Sequence, residues 1–223
     1  MSNCVLIVGA SGTGKSTSIR NLDHKSTFVI NVLGKAMPFR GYKNKYIPLT
    51  GWDDPIGNYY ASDDYTRILK CIEIINKSRP DILSIVIDDW QYVLCNEFMR
   101  RANEKGFERF TEIGQHAWSI LRLLSDCRDD LLSFVLAHND IDVNGKSKVK
   151  TIGKLLDEKV TIEGMFTTCL HTMIIDGQYK FLTQHDNTHV AKSPMGLFSE
   201  LLIDNDLKLV RDALVEYFND GEK

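Results

Sequence analysis

A glycine-rich segment near the start of the chain has the residue types and spacing of a phosphate-binding loop. Residues 9–17 satisfy the pattern G-x-x-x-x-G-K-[ST] at every fixed position. Glycines let the backbone curl so that its N–H groups point at phosphate oxygens. We predict that Lys15 reaches the β- and γ-phosphates of a nucleotide and acts in catalysis, and that the Ser16 hydroxyl ligates Mg²⁺. The residues predicted to bind the nucleotide are Gly9, Ala10, Ser11, Gly12, Thr13, Gly14, Lys15, Ser16 and Thr17.

Two adjacent carboxylates end a second apolar segment. Residues 81–89 are almost continuously apolar and finish with Asp88 and Asp89. Strands of a parallel sheet that is covered on both faces are apolar throughout, and their carboxyl edge is where nucleotide and metal bind. We predict that Asp88 holds Mg²⁺, partly through a water molecule, and that Asp89 activates the attacking water. The alternative is a buried strand that ends in ordinary turn acids.

A third apolar segment, residues 131–137, also ends in polar side chains, His138 and Asn139. A polar group at that place in a nucleotide-binding sheet can contact the γ-phosphate or orient water. We therefore count His138 among the candidate catalytic residues, beside the alternative of a surface histidine.

Lysines are concentrated in a later segment, at Lys146, Lys148, Lys150 and Lys154. The formal net charge of the chain is −3, so any contact with nucleic acid requires a local basic patch. Two interpretations remain open here. The segment is either a phosphate-contacting loop or a solvated hairpin, for which the preceding Asn-Gly dipeptide is a strong turn signal.

The elements that must position these residues alternate between strand and helix over the first 137 residues. This order predicts a doubly wound, mainly parallel α/β sheet in a single domain, residues 1–223. Two late strands, 168–175 and 178–183, flank an Asp-Gly turn and extend the sheet antiparallel. Between residues 34 and 61 only a short edge strand, 46–49, is expected. Helices are predicted at 15–22, from 65 to before Pro80, at 92–105, 111–127 and 155–166, and from Asp206 onward.

Composition limits the class of protein. The chain has 223 residues, of which 43% are hydrophobic, enough for one sizeable core. Its five cysteines are odd in number and form no C-x-x-C pair, and no apolar signal-peptide core begins the sequence. We therefore expect a cytoplasmic protein with reduced thiols and no membrane association. A zinc site near His185 and His189 is disfavoured because no compact cysteine pair accompanies them.

Several segments together resemble a known family. They resemble the bacteriophage RecA-like P-loop ATPases of the single-strand annealing protein type, nearly from end to end. The phosphate loop and Asp88 are generic to the superfamily, and the later segments are the specific part. The segments are 9–17, 28–35, 88–89, 113–118, 150–157 and 191–196.

The resemblance implies a RecA-like P-loop NTPase core that uses ATP and Mg²⁺ and acts on single-stranded DNA in phage recombination. It also implies that the strand after Asp88 lies beside the phosphate-loop strand. A single-stranded-DNA-binding protein is the implied partner, in the cytoplasm of the host cell. The four lysines would then bind DNA, and Lys192 would contact the nucleotide of a neighbouring subunit in a homo-oligomer.

The chain departs from this family at one position of chemical interest. RecA is similar in its core but carries a glutamate at the end of its second core strand, whereas residues 31–35 here contain no carboxylate. Either Asp89 is the base or hydrolysis is slow. RecA also polymerises through an N-terminal extension, and the loop at residue 9 leaves filament formation open.

Two other functions remain possible from the sequence. One is an ATPase that serves a protein partner, of the helicase-loader or genome-packaging type. The other is a small-molecule P-loop kinase, which usually needs an arginine-bearing lid. No arginine lies between Arg128 and Arg211, so the kinase is the less favoured of the two.

Overall fold

The computed structural model describes residues 4–153 and 155–219. In this part of the chain a nine-stranded sheet is covered by helices on both faces. The strands are β1 Cys4–Gly9, β2 Thr27–Asn31, β3 Tyr59–Ala61, β4 Ser84–Asp88, β5 Leu132–Ile141, β6 Ser147–Val149, β7 Thr168–Ile175, β8 Gln178–Leu182 and β9 Leu202–Asp204.

The helices follow from local signals in the sequence. The second α-helix begins after an acidic cap, since the Asp64 carboxylate accepts hydrogen bonds from the backbone N–H groups of Thr66 and Arg67. The α-helices are α1 Tyr42–Lys45, α2 Tyr65–Ser78, α3 Gln91–Arg100, α4 Glu108–Ser125 and α5 Leu207–Asn219. Shorter 3₁₀-helices span Ser16–Asn21 and Ile162–Met165, and a π-helix spans Leu155–Val160.

The strand order is β3-β2-β4-β5-β1-β7-β8-β9, with β6 paired to β5. The strands from β3 to β7 in this order are parallel, and β8 and β9 continue the sheet antiparallel. This confirms the predicted α/β class with late antiparallel strands. It also places β5 between β4 and β1, as the resemblance implies. The carboxyl ends of β1, β2, β4 and β5 therefore meet at one edge.

Both faces of the sheet are buried, which explains why apolar residues occupy successive positions of its central strands and do not merely alternate. Along β1, Leu6 and Val8 pack with the residues of α2, α3 and α4. Val5 and Ile7 point to the other face, where they pack with the first 3₁₀-helix and α5. Successive side chains of a strand alternate between faces, so each face takes half of the apolar run.

Several predicted elements differ in the structure. The edge strand expected at residues 46–49 is reduced to a single bridge between Pro48 and Tyr59, because a proline has no N–H to donate to a ladder. The edge strand is instead β3. The helix expected over 155–166 is two short helices, separated by Thr161 with a φ of +52°. β9 was not predicted. None of the helices in the described ranges is long and apolar enough to cross a lipid bilayer.

Candidate functional site

The phosphate loop follows β1 and encloses the Lys15 side chain. The ammonium of Lys15 donates hydrogen bonds to the carbonyl oxygens of Gly9, at 2.9 Å, and Ala10, at 2.8 Å. Burial lowers the pKa of Lys15 to about 8, although Asp89 and Asp88 act in the opposite direction. The ammonium is thus placed inside the loop, on neutral carbonyls that phosphate oxygens can replace as stronger, anionic acceptors.

The helix after the loop is shorter than predicted. An α-helix was expected over 15–22, but the structure has a six-residue 3₁₀-helix, Ser16–Asn21. The Ser18 hydroxyl donates to the Lys15 carbonyl at 2.5 Å, and the Arg20 guanidinium donates to the Thr17 carbonyl at 3.2 Å. Such local side-chain bonds to carbonyls compete with regular helix formation. A phosphate bound at this site would therefore be held by the loop and Lys15 more than by a long helix dipole.

Ser16 and Asp88 meet although they are far apart in sequence. The Ser16 hydroxyl donates to Oδ1 of Asp88 at 2.8 Å. Burial, followed by the charge of Asp89, raises the pKa of Asp88 to about 6. A hydroxyl and a carboxylate beside a phosphate loop are hard oxygen donors of the kind that Mg²⁺ prefers, so these two predicted metal ligands fit the ion.

Asp89 lies between two side chains, Lys35 and His138. Its Oδ2 is 2.5 Å from Nζ of Lys35, and its Oδ1 is 3.3 Å from Nε2 of His138. Burial alone would raise the pKa of Asp89, but the hydrogen bonds from His138 and Lys35 outweigh it and hold that pKa below its usual value. The structure thus brings together Asp89 and His138, both predicted from sequence, and adds Lys35.

Lys35 was not predicted from the sequence to be a site residue, although its segment, residues 31–35, stood out for lacking a carboxylate. It follows β2, and the side-chain amide of Asn31 donates to its carbonyl oxygen at 2.8 Å. The hydrogen bond to Asp89 raises the pKa of Lys35 against the effect of burial. At the end of β2 this chain therefore places an asparagine that holds the backbone of a lysine. A lysine directly after a buried strand and a Gly turn was the available signal.

The position of His138 depends on β5 being longer than predicted. The strand continues beyond Ala137 to Ile141, so His138 lies within it. Its backbone N–H donates to Oε1 of the buried Gln91 at 3.1 Å, and the ring of Tyr92 meets the imidazole edge-on at 6.0 Å. The start of α3 therefore fixes the imidazole beside Asp89.

An aromatic side chain beside the loop, Tyr179, was also not predicted from the sequence. Tyr179, on β8, lines the same cavity of about 340 Å³ as Lys15, Lys35 and Asp89. A Cβ added at Gly14 would lie 2.9 Å from Cδ1 of Tyr179, and Gly14 has a φ of +96°. The Tyr179 side chain is 46% exposed, so part of its ring is accessible from the cavity beside the phosphate loop.

The lysine cluster lies on a β-hairpin. β5 and β6 pair with Lys148 opposite Asp140, and Lys146 and Lys150 are exposed. The Asp142 carboxylate accepts a hydrogen bond from the Lys146 backbone at 2.8 Å. The segment thus has the hairpin geometry of one of the two interpretations, and the pairing brings acids beside the lysines. Lys154 lies outside the described residues, and DNA binding by this hairpin stays a prediction.

Two remaining predictions concern residues 185–192, which follow β8. The backbone N–H and C=O groups of Lys192 both bond to Cys169, each at 2.8 Å, so Lys192 is anchored to the sheet. Its contact with a neighbouring subunit stays a prediction. His189 is hydrogen-bonded to Asp186 at 2.8 Å, and its ring lies 4.6 Å from that of His171. Within residues 4–153 and 155–219, no group of three or more His, Cys, Asp or Glu side chains is arranged to hold a metal ion.

Comparison with known proteins gives only a distant structural likeness. No protein-family model matches the chain, and no curated protein matches it. Among solved structures, two complexes of the genome packaging NTPase B204 from Sulfolobus turreted icosahedral virus 2 are similar. The complex with ATP-gammaS has 12% sequence identity and a TM-score of 0.42, and the complex with AMPPCP has 14% and 0.41. Each alignment covers 78% of this chain and 76% of the other.

Proposed function

We propose that this chain binds ATP with Mg²⁺ and hydrolyses it, and that it does so while acting on single-stranded DNA. The observation that carries the first part is the contact between Ser16 and Asp88, 2.8 Å long, at the mouth of a phosphate loop that encloses Lys15. A glycine-rich loop, a buried lysine, a hydroxyl and a carboxylate at the carboxyl edge of a parallel sheet are the groups that phosphoryl transfer requires.

The residues around the loop have separate tasks in this proposal. The loop N–H groups and Lys15 bind and orient the phosphates. Ser16 and Asp88 would hold Mg²⁺, which when bound neutralises phosphate charge. Asp89 orients the attacking water and accepts its proton, while Lys35 and His138 hold the carboxylate in place. Since both partners favour the ionised form of Asp89, it is a weak base, and we expect slow intrinsic turnover.

The DNA-binding part of the proposal is supported by the position of the lysine hairpin. His138 contacts Asp89 and belongs to the same strand, β5, that continues into the hairpin. The nucleotide site and the lysines are therefore connected by a single strand. In this proposal the protein works in phage DNA recombination in the host-cell cytoplasm, with a single-stranded-DNA-binding protein as partner. A homo-oligomer would bring Lys192 to the nucleotide of the next subunit.

The experiment that tests the proposal is ATP turnover with and without single-stranded DNA. We expect measurable Mg²⁺-dependent release of phosphate that increases when the DNA is added. Absence of ATP binding would overturn the whole proposal. ATP hydrolysis without any effect or binding of DNA would overturn the DNA part alone.

Replacing Asp89 with asparagine should slow hydrolysis by at least about 100-fold and leave ATP affinity nearly unchanged. Asp89 has a φ of +66°, and asparagine tolerates this left-handed conformation as well as aspartate does. The variant thus removes the carboxylate without straining the turn. The measurements are single-turnover hydrolysis and ATP titration calorimetry. Unchanged turnover would mean that another group is the base.

Replacing Lys146, Lys148 and Lys150 with alanine should weaken single-stranded DNA binding. Each phosphate contact adds about −0.7 to the slope of log affinity against log salt, so the triple variant should flatten this slope by roughly two units. Sequence preference should hardly change, since phosphate contacts do not read bases. A matched control replaces three exposed lysines elsewhere, Lys25, Lys77 and Lys105. An equal slope in the variant and the parent would show that the hairpin is a solvated turn that makes no phosphate contacts.

One observation favours the alternative of an ATPase that serves a protein partner. Two large apolar side chains are strongly exposed, Met99 near the end of α3 at 68% and Phe107 just before α4 at 89%. A contiguous exposed apolar surface is typical of a protein interface, and these side chains would supply part of one. Turnover that responds to a protein of the same genome, and not to DNA, would favour this alternative.

A further inference from the structure

A groove of about 550 Å³ lies between the first part of α2, strand β3 and residues 49–52. None of its lining residues belongs to the cavity around the phosphate loop. Neither the phosphate loop nor the lysine hairpin takes part in it. The groove is therefore a separate surface, and its side chains combine aromatic rings with positive charge.

The aromatic part of the groove is formed by Trp52 and Tyr60. Their ring centroids are 5.3 Å apart, with the planes tilted by 58°. Both side chains pack against the buried core on one side and remain partly exposed on the other. The rings are thus held by the core while part of their surface faces the groove. This is the arrangement of a stacking platform for a flat ligand.

The positive part of the groove is formed by two side chains of α2. Nζ of Lys70 lies 4.9 Å from the centroid of the Trp52 ring, and Lys70 forms no ion pair with a described residue. Arg67 has a long contact with Asp64, 3.9 Å, between two exposed side chains. The Asp64 carboxylate is also occupied by the capping of α2. An exposed pair of this length contributes little, so both cations are available to an anion.

We propose that this groove binds single-stranded DNA, with a base on Trp52 and Tyr60 and the adjoining phosphate on Lys70 and Arg67. A nucleotide unit combines a flat aromatic base with an anion a few ångströms away, which matches the two parts of the groove. A base that approaches Trp52 takes the place of the Lys70 ammonium, which moves to the phosphate. Duplex DNA keeps its bases stacked inside and offers only the phosphate. The inference rests on the proposed action on single-stranded DNA.

The first test measures binding of the full chain to fluorescein-labelled oligo(dT) by anisotropy at several salt concentrations. The groove variant is Arg67→Glu/Lys70→Glu. The matched control is Lys25→Glu/Lys77→Glu, which makes the same change in net charge at exposed lysines outside the groove. We expect at least about 10-fold weaker binding in the groove variant and a slope flattened by roughly 0.7 units, from one lost phosphate contact. The control should keep the slope of the parent.

The second test uses Trp52 as a reporter. Oligo(dT) should quench tryptophan emission in the parent, and Trp52→Phe should abolish this quenching while keeping a ring packed on the core. Thermal unfolding verifies that Trp52→Phe remains folded. A duplex of the same length should quench emission much less than the single strand.

The possible results separate the inference from the proposed function. Weaker binding in the groove variant than in the control, together with quenching that requires Trp52, supports the proposal that single-stranded DNA binds in the groove. Equal affinity in the groove variant and the control, or quenching that persists in Trp52→Phe, overturns DNA binding in the groove. The proposed function is not affected by either result. Equal quenching by duplex DNA overturns the stacking of a single strand. Failure of the parent to bind oligo(dT) at all overturns both the groove and the DNA part of the proposed function.

Discussion

Replacing Lys15 with alanine is expected to lower ATP turnover by at least about 100-fold, because the loop loses the cation that stabilises charge on the transferred phosphate. The same change should weaken ATP binding, since the ammonium is the only lysine group enclosed by the loop residues 9–17. Turnover at saturating Mg²⁺ and ATP, and titration calorimetry, are the measurements.

The fold should survive this change. Lys15 is only 5% exposed, but its partners are two loop carbonyls, of Gly9 and Ala10, and not core side chains. Removing a buried charge whose pKa is lowered by desolvation relieves a cost of the folded state. We therefore expect the midpoint of thermal unfolding to shift by no more than about 5 °C. Lys25→Ala is the control for the loss of one lysine. Equal ATP affinity in Lys15→Ala and the parent would contradict the assigned role.

Replacing Gly9 with alanine is expected to destabilise the protein by about 1–3 kcal/mol or more and to distort the phosphate loop. A Cβ at this position would lie 1.9 Å from Oγ1 of Thr172 and 3.1 Å from its Cβ. Thr172 belongs to β7 and is buried against the loop, where its hydroxyl is 2.5 Å from that of Thr13. The clash is with side-chain atoms of a buried threonine, and rotating them away would break the contact between the Thr172 and Thr13 hydroxyls.

A double-mutant cycle identifies the cause. Thr172→Ala removes the atom at 1.9 Å, so Gly9→Ala should cost less free energy of unfolding in that background than in the parent, by about 1 kcal/mol or more. Denaturant unfolding of the four proteins supplies the numbers. Gly164→Ala is the control for a glycine with room, because its added Cβ meets no atom closer than 3.9 Å. Additive effects of the two substitutions would show that the contact with Thr172 is not the cause.

Local signals in the sequence were sufficient for much of the fold. The phosphate loop, the cap at Asp64 and the apolar runs of β1, β4 and β5 involve residues close together in the chain. The turn at Asp176 and Gly177 belongs to the same class, since both residues have positive φ in the structure, +50° and +74°. Short-range geometry and burial periodicity determine these features, so a single sequence contains the necessary information.

Local signals were less reliable where the chain is irregular. The edge strand predicted at residues 46–49 was wrong because Pro48 has no N–H to donate to a ladder. β9 was missed because a strand of three residues has too few positions to show a pattern. The continuous helix predicted over 155–166 failed for a different reason. Thr161 adopts a φ of +52°, which interrupts a helix and which residue type does not reveal.

The sequence by itself therefore determined the class of sheet, and it identified the residues to which we assign the chemistry, Lys15, Ser16, Asp88 and Asp89 among them. The tertiary structure alone decided which groups meet: Ser16 with Asp88, Lys35 with Asp89, and Tyr179 with Gly14. Those contacts join residues far apart in the chain and depend on the order and register of the strands. Strand order and register result from the packing of the whole core, and no local pattern of residue types specifies them.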